Sequence, residues 1–519
     1  MIRKLIKSLL EAAAYPEPTA NVRLVETHVS FIFITDQFVY KLKKPVDFGF
    51  LNFTTLDRRR FYCEEEVRLN RRLCPDIYLG VVELHETGGK AAFGKGGKLV
   101  DYAVKMKRLP EERMLAHLVE AGEVAPAQMM SIARLVAEFH GKAARGPQID
   151  ACGSRGSIRA NWEENFRQVS PFLGETLSRT DLALVRDWVD RFLVQNEELF
   201  RARVEAGFIR ECDGDLHLGN ICLTDQICIF DCIEFNERFR YIDTAADIAF
   251  LLMDLEFAGR PDLGRAFLEA YREATGDLGL DPLLNFYKGY RAFVRGKVKS
   301  FLLREPGIPA ERLVPAKAAA SRYFQLARGY CLRERLAPCL IITCGLMGTG
   351  KSALARELSF QLGLSLERSD LVRKRLAGRP LTGGGSDAYD EGIYREPFNE
   401  ATYRTLLQLA REALVNGKRI VIDATFRRQG DRAAFRELAR EFTVPFYLIE
   451  MHCPEQLVRK RLELRRLDPG EISDGSWELF AQQQSQFEPP ASGESIRIDS
   501  TLPLDKVVEL ALKGMGLLP

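Results

Sequence analysis

A chain of 519 residues is too long for one ordinary hydrophobic core and points to two to four domains. Its composition, 46% hydrophobic and 28% charged with a formal net charge of +2, is that of a soluble globular protein and excludes a strong global field for nucleic acid or membrane. Eleven cysteines without a C-x-x-C pair suit reduced thiols and argue against a disulfide framework.

The first ten residues place Arg3, Lys4 and Lys7 among Ile2, Leu5, Ile6, Leu9 and Leu10, the spacing of one helix face. Neither a secretory segment nor an apolar run of about 18 residues is present, so no membrane partner and a cytoplasmic location are expected. Val29 to Ile34 and Gln37 to Leu42 read as strands, and Asp57 to Leu73 reads as a helix dense in Arg and Glu. Further strands are expected at Ile77 to Leu84 and Leu99 to Met106, giving a small β-rich lobe with one helix. From Glu111 the pattern turns helical, with helices expected at Ala127 to Lys142, Asp181 to Arg203, Thr244 to Phe257 and Asp281 to Leu303.

Between those helices lies Cys212-Asp213-Gly214-Asp215-Leu216-His217-Leu218-Gly219-Asn220, with Asp231 a short hairpin further on. An Asp followed five residues later by Asn and then by a second Asp is the spacing of a phosphoryl-transfer centre. Asp215 would orient and deprotonate an acceptor hydroxyl, while Asn220 and Asp231 would hold Mg²⁺. A polar turn using Asp and Asn as turn formers is the competing reading. Cys212, Cys222, Cys228 and Cys232 are spaced irregularly among strand-like neighbours, as buried small hydrophobes and not as zinc ligands.

Gly-Asp-Leu-His-Leu-Gly-Asn with a downstream Asp resembles the catalytic segment of the aminoglycoside phosphotransferase family, which is similar to protein kinases in fold. The resemblance covers about residues 20 to 330 and implies a two-lobed domain with Asp215 as the catalytic aspartate and Asn220 and Asp231 as metal ligands. It also implies a nucleotide-phosphate lysine on an early strand, Lys41 with Lys43 as a close rival, and a helix glutamate partner, Glu66 in preference to Glu65. Asp243 and Asp247 read as capping or loop-bracing groups. Two departures stand out. Asp213 occupies the position before Gly-Asp where the family usually has His, and Glu26-Thr27-His28-Val29-Ser30 stands where a glycine-rich loop is expected.

Pro306 to Pro315 reads as a connection and Ala316 to Arg335 as a helix, dividing the chain into domains 1–335 and 336–519. The apolar run Leu340 to Cys344 then meets Gly345-Leu346-Met347-Gly348-Thr349-Gly350-Lys351-Ser352, which fills every fixed position of the G-x-x-x-x-G-K-S phosphate loop. Gly345, Gly348, Thr349 and Gly350 would wrap the phosphates, Lys351 would reach the β- and γ-phosphates and Ser352 the Mg²⁺. Further apolar runs at Leu364 to Leu366, Ile420 to Ile422, Phe446 to Ile449 and Ile496 to Ile498 alternate with helices, the pattern of a parallel α/β sheet.

Asp423 ends one of these strands, where an acidic group can serve Mg²⁺ or the acceptor; a helix cap is the alternative. Asp370 and Arg373 are one helical turn apart and can face one cleft, the carboxylate toward an acceptor hydroxyl and the guanidinium toward an anion. Arg459, Arg461, Arg465 and Arg466 crowd a helix beginning at Pro454-Glu455, the spacing of a lid over transferring phosphates or of a plain exposed basic helix. Asp387 to Glu396, after Gly383 to Gly385, reads as an acceptor-binding loop.

Together these motifs resemble the P-loop kinase group that includes polynucleotide 5′-kinases and gluconate-kinase-like proteins, over about residues 338 to 500. That resemblance implies Asp370 as acceptor-activating base and Arg373 as phosphate contact. The expectation is a fusion of two ATP- and Mg²⁺-dependent phosphotransferases, of mixed α/β and α+β class, acting on a small-molecule hydroxyl or a nucleic-acid 5′ end. The alternative is a P-loop ATPase switch regulating a pseudokinase-like binding module. The sequence specifies no oligomeric state.

Overall fold

A computed structural model describes residues 2–49, 51–94, 96–305, 308–379, 395–465 and 477–518. The chain forms two compact units, Met1–Ala327 and Arg328–Pro519. The division falls inside the helix Ala310–Arg335, before the expected boundary after residue 335. This helix starts earlier than expected and runs through Pro315, whose missing N–H leaves the Glu311 carbonyl without its intrahelical donor.

The first unit opens on β1 (Arg23–Glu26), β2 (Ser30–Ile34) and β3 (Phe38–Lys43), followed by the helix Leu56–Asn70 and by β4 (Tyr78–Thr87), β5 (Lys90–Phe93) and β6 (Lys98–Lys107). Their order in the antiparallel sheet is β1-β2-β3-β6-β4-β5. Alternation along β3 sends Tyr40 and Leu42 into a core with Leu9, Tyr15 and Phe33. Lys41 and Lys43 therefore fall on the opposite face. That face is covered by the helix Leu56–Asn70, which Thr55 caps by accepting from the Arg58 N–H. Its buried residues include Cys63, Glu66, Val67 and Asn70, a stripe of three- and four-residue steps that carries Glu66 inward.

A helical lobe follows, with the helices Pro126–Lys142, Arg155–Gln168, Arg179–Gln195, Glu197–Glu205, Thr244–Phe257, Pro261–Thr275 and Asp281–Phe301. Two short strand pairs are embedded in it: β7 (Ile209–Glu211) with β10 (Tyr241–Asp243), and β8 (Ile221–Leu223) with β9 (Ile227–Ile229). The single helix expected over Asp181 to Arg203 is two, broken at Asn196, which leaves the helical region (φ −113°, ψ 22°) and gives both its backbone N–H and its side-chain amide to the Phe192 carbonyl. Trp162, Phe192 and Phe286 anchor this lobe; the last two stack with ring centroids 4.4 Å apart, an arrangement worth about 0.5–1.5 kcal/mol beyond the area buried.

Not all thiols are reduced: Cys74 and Cys228 form a disulfide with Cα atoms 5.0 Å apart, a correction to the expectation from spacing. Folding brings together cysteines 154 positions apart, which no local pattern announces. Cys212, Cys222 and Cys232 are buried free thiols.

The second unit is built on β11 (Leu340–Cys344), β12 (Ser365–Arg368), β13 (Ile420–Asp423), β14 (Phe446–His452) and β15 (Ile496–Asp499). The strands run parallel in the order β12-β13-β11-β14-β15. The central strands are unbroken apolar runs because both faces are covered; Leu340, Ile342, Ile420 and Ile422 join Leu406, Phe426 and Phe435 in one core. Such a sheet presents its site beyond the carboxyl ends of the strands, where the phosphate loop, Asp370 and Asp423 lie. Among the described residues, no helix is long and apolar enough to cross a membrane.

Candidate active sites

In the first unit, β3 and the helix Leu56–Asn70 set the lysine pair against Glu66. Lys41 Nζ lies 2.9 Å from one Glu66 oxygen and Lys43 Nζ 2.7 Å from the other. Lys41 also reaches Asp231 at 2.5 Å, whereas Lys43 is turned inward to Glu234. Both rivals thus use the same carboxylate, but Lys41 is the one that joins Asp231. Glu65, one residue off the buried stripe, pairs with Arg68. Burial alone would raise the Glu66 carboxyl, yet the two ammonium groups outweigh it and hold it below the ordinary glutamate range.

Asp215 follows β7 on a loop that is braced from behind. The Asp247 carboxylate accepts from the N–H groups of Asp213 (3.1 Å) and Gly214 (2.8 Å), and Arg291 donates to the Gly214 carbonyl at 2.8 Å. Gly214 has φ +85°, and a Cβ there would lie 2.7 Å from the Phe239 carbonyl oxygen, so the turn demands glycine. Asn220 donates its amide to Asp215 Oδ2 at 3.0 Å, while His217 Nε2 lies 3.5 Å from the same oxygen. Burial pushes the Asp215 carboxyl up, but His217, Arg295 and Arg291 prevail and keep it below the ordinary aspartate range. Asp231 has φ +67° and donates its N–H to the Tyr78 hydroxyl at 3.1 Å.

His140 was not visible in the sequence as part of this loop. It comes from the helix Pro126–Lys142, with Nε2 3.1 Å from Asp247 and Nδ1 2.8 Å from the Tyr271 hydroxyl. No spacing signal connects residues 107 positions apart, and His140 lies on an otherwise apolar face. Asp243 caps the helix Thr244–Phe257 through the Ala245 N–H and is held by Arg203.

Asp213, the departure from the usual His, accepts from the Asp215 N–H at 3.0 Å. Burial, then the Asp247 and Asp215 carboxylates, push its carboxyl well above the ordinary aspartate range. Burial also disfavours the charge on Asp247, but His140 and Arg291 outweigh it. The folded protein therefore retains a proton on Asp213 that the unfolded chain has lost, so stability falls as pH rises from the ordinary aspartate value through the raised one. Asp213→Asn keeps the acceptor oxygen without the titration. Urea midpoints measured between about pH 4 and about pH 8 are expected to show the variant gaining on wild type toward the alkaline end; parallel profiles would refute this assignment.

The β1–β2 turn differs from a phosphate-covering glycine loop. The Thr27 hydroxyl accepts from the Val29 and Ser30 N–H groups at 3.3 and 2.9 Å, so these amides are spent within the turn. Next to it, Lys41, Asp215 and Asp231 share a cavity of about 820 Å³.

In the second unit the phosphate loop joins β11 to the helix Lys351–Leu362. Gly345, Gly348 and Gly350 all have positive φ, and a Cβ on Gly345 would lie 2.4 Å from the Met451 carbonyl oxygen. The loop backbone thus takes a conformation, and at Gly345 a close approach to Met451, that a side chain would not allow. Lys351 Nζ donates to the Leu346 carbonyl at 2.7 Å, and Thr349 Oγ1 donates to the same oxygen at 2.7 Å. A cavity of about 120 Å³ is lined by Lys351, Ser352, Asp370, Arg373 and Asp423, which the sequence had assigned separately. Asp370 and Arg373 are 3.2 Å apart, and Arg373 also donates to Asn399. Asp423 pairs with Arg368, its neighbour across the strands, and accepts from Thr343 Oγ1, each at 3.3 Å.

Of the helix arginines, Arg461 turns to the loop: it donates to the Gly348 carbonyl at 3.4 Å and to the Ser500 carbonyl at 2.6 Å. Arg459 is exposed and pairs with Glu463. The Arg465 side chain, Arg466, Gly383 to Gly385 and residues 387–394 of the expected acceptor loop lie outside the described residues. Glu396 lines the smaller cavity.

The family model of the phosphotransferase enzyme family matches residues 63–283, and that of an AAA domain matches residues 340–490. An uncharacterized protein of Mycobacterium tuberculosis (strain ATCC 25618 / H37Rv) is 33% identical over 426 residues, 82% of each chain, as is one of Mycobacterium bovis (strain ATCC BAA-935 / AF2122/97). The chain belongs to their family. Its first unit is a kinase-like phosphotransferase domain and its second a P-loop kinase-like domain, so the protein is a kinase-type enzyme. Among solved structures, an aminoglycoside 2′-phosphotransferase-IIIa is 13% identical, covering 62% of this chain and 98% of its own, with a TM-score of 0.39. A gluconokinase from Sinorhizobium meliloti 1021 is 20% identical, covering 35% and 94%, with a TM-score of 0.26.

Proposed function

We propose that each unit transfers the γ-phosphoryl group of ATP to a hydroxyl acceptor, with Mg²⁺ as cofactor. The observation that carries this reading is that each unit brings a phosphate-binding lysine and a hydroxyl-orienting aspartate to one cavity, Lys41 with Asp215 and Lys351 with Asp370. The donors suit Mg²⁺, which takes oxygen ligands. Asn220 spends its amide nitrogen on Asp215, so its oxygen is the atom it can offer a cation, beside the half-exposed Asp231 carboxylate. Ser352 and Asp423 play the same part in the second unit. When bound, the cation neutralises charge on the phosphates.

In the first unit Asp215, kept ionised by His217, Arg295 and Arg291, accepts the hydrogen bond of the attacking hydroxyl and then its proton. Lys41, steadied by Glu66, holds phosphate oxygens. In the second unit the loop amides and Lys351 hold the phosphates, Arg373 steadies the transferring group and Asp370 orients the hydroxyl. The smaller cavity favours a small-molecule acceptor there, with a nucleic-acid 5′ end as the competing outcome. Use of ATP suits a cytoplasmic setting.

The test incubates the full chain with γ-labelled ATP, Mg²⁺, a metabolite extract and a 5′-hydroxyl oligonucleotide. Labelled products in two classes are expected, one lost with Asp215→Ala and the other with Lys351→Ala. Label recovered only as inorganic phosphate would refute both assignments.

A further inference from the structure

Resting on the phosphotransfer reading of the first unit, we propose that its acceptor is a hydroxy acid, an alcohol with an apolar body and an anionic group received by Lys297.

The larger cavity reaches from Asp215 between helices whose contribution is largely aromatic, including Trp162, Phe286, Tyr290 and Phe301. An apolar body is what such walls accept. Away from Asp215 and Asp231, the carboxylates lining the cavity are engaged: Glu164 by Arg238, Asp243 by Arg203, Glu234 by Lys43 and Glu305 by His28. A cationic acceptor would have to compete with these partners. Lys297 is the opposite case. It is 9% exposed, and its ammonium donates to two neutral amide oxygens, Asn165 Oδ1 at 2.6 Å and Gln168 Oε1 at 2.7 Å. A buried ammonium held by neutral groups is stabilised by an incoming anion.

A second observation points to a ligand on the same helix. Trp162 Nε1 is buried and has no hydrogen-bond partner among the described residues, an exception to the rule that buried N–H groups are paired. Trp162, Asn165 and Gln168 recur at three-residue steps along the helix Arg155–Gln168, so the indole donor and the amides that hold Lys297 lie along one side. Burial lowers the Lys297 ammonium to about 8, and Glu164 offsets only part of that shift. In the reaction the acceptor oxygen bonds to the γ-phosphorus, the bond from that phosphorus to the β–γ bridging oxygen breaks, the hydroxyl proton passes to Asp215, and ADP leaves.

The test uses the full chain carrying Lys351→Ala, which silences the second unit, and three probes of equal length: ω-hydroxylauric acid, lauryl alcohol and the ω-amino alcohol. Calorimetry is expected to show the acid binding about tenfold or more tightly than the amine, the scale of a hydrogen bond to a charged group. Lys297→Met should remove that preference and Lys297→Arg should retain it, with unchanged ADP affinity as the control for folding. Equal or tighter binding of the amine, a preference that survives Lys297→Met, or no binding of any probe overturns the proposal. If the acid binds through Lys297 but takes up no label from ATP, the phosphotransfer reading fails and the ligand class stands.

Discussion

Asp215→Ala is expected to lower phosphoryl transfer by the first unit about 10²–10⁴-fold, the usual contribution of a positioned base, while leaving ADP affinity nearly intact. The separation follows from the geometry. Asp215 hydrogen-bonds Asn220 and faces His217, whereas the contacts expected for nucleotide phosphates belong to Lys41 and Asp231. The same environment sets the pH response. A carboxyl held below its ordinary value stays ionised, and able to take the acceptor proton, until pH falls through that lowered value. The wild-type rate should therefore hold through the ordinary aspartate range and decline only below it. Single-turnover transfer across pH, with ADP binding by calorimetry, checks both parts; equal losses of affinity and rate would reassign Asp215 to nucleotide binding.

Lys351→Ala should cost the second unit about 10²–10³-fold, the scale of losing one preorganised charge-stabilising donor. The stability cost should be small, about 1 kcal/mol, the scale of the hydrogen bond that Lys351 Nζ donates to the Leu346 carbonyl. Labelled transfer with urea unfolding of the same variant measures the two effects. The first unit's activity should be unchanged, since the two cavities share no residue. Loss of both activities would mean the centres depend on one another.

Much of this was legible because it is local. The phosphate loop, the strand before it and the helix after it lie within one short stretch, and the helix Thr244–Phe257 has the limits its pattern gave. Lys41 was preferred in the sequence only narrowly over Lys43, since residues two apart on a strand share a face and both reach Glu66. Glu66 was preferred to Glu65 from the sequence, and the buried stripe of the helix carries Glu66 inward. Other parts depend on chain segments far apart. The His140 brace on Asp247 and the Cys74–Cys228 bridge join helix, strand and loop at separations that leave no periodic trace. The break at Asn196 escaped notice because apolar spacing continues on both sides of it.

The left-handed backbone at Asp231 narrows the evolutionary exits from this site. Asn and Asp are enriched at positive φ, whereas β-branched and bulky residues are strained there. Asparagine keeps the backbone and an oxygen donor but discards the charge, and its codons differ from those of aspartate by a single base. One single-base route away from catalysis thus keeps the fold while weakening the proposed cation site, so descendants of this chain can become binding proteins in one step.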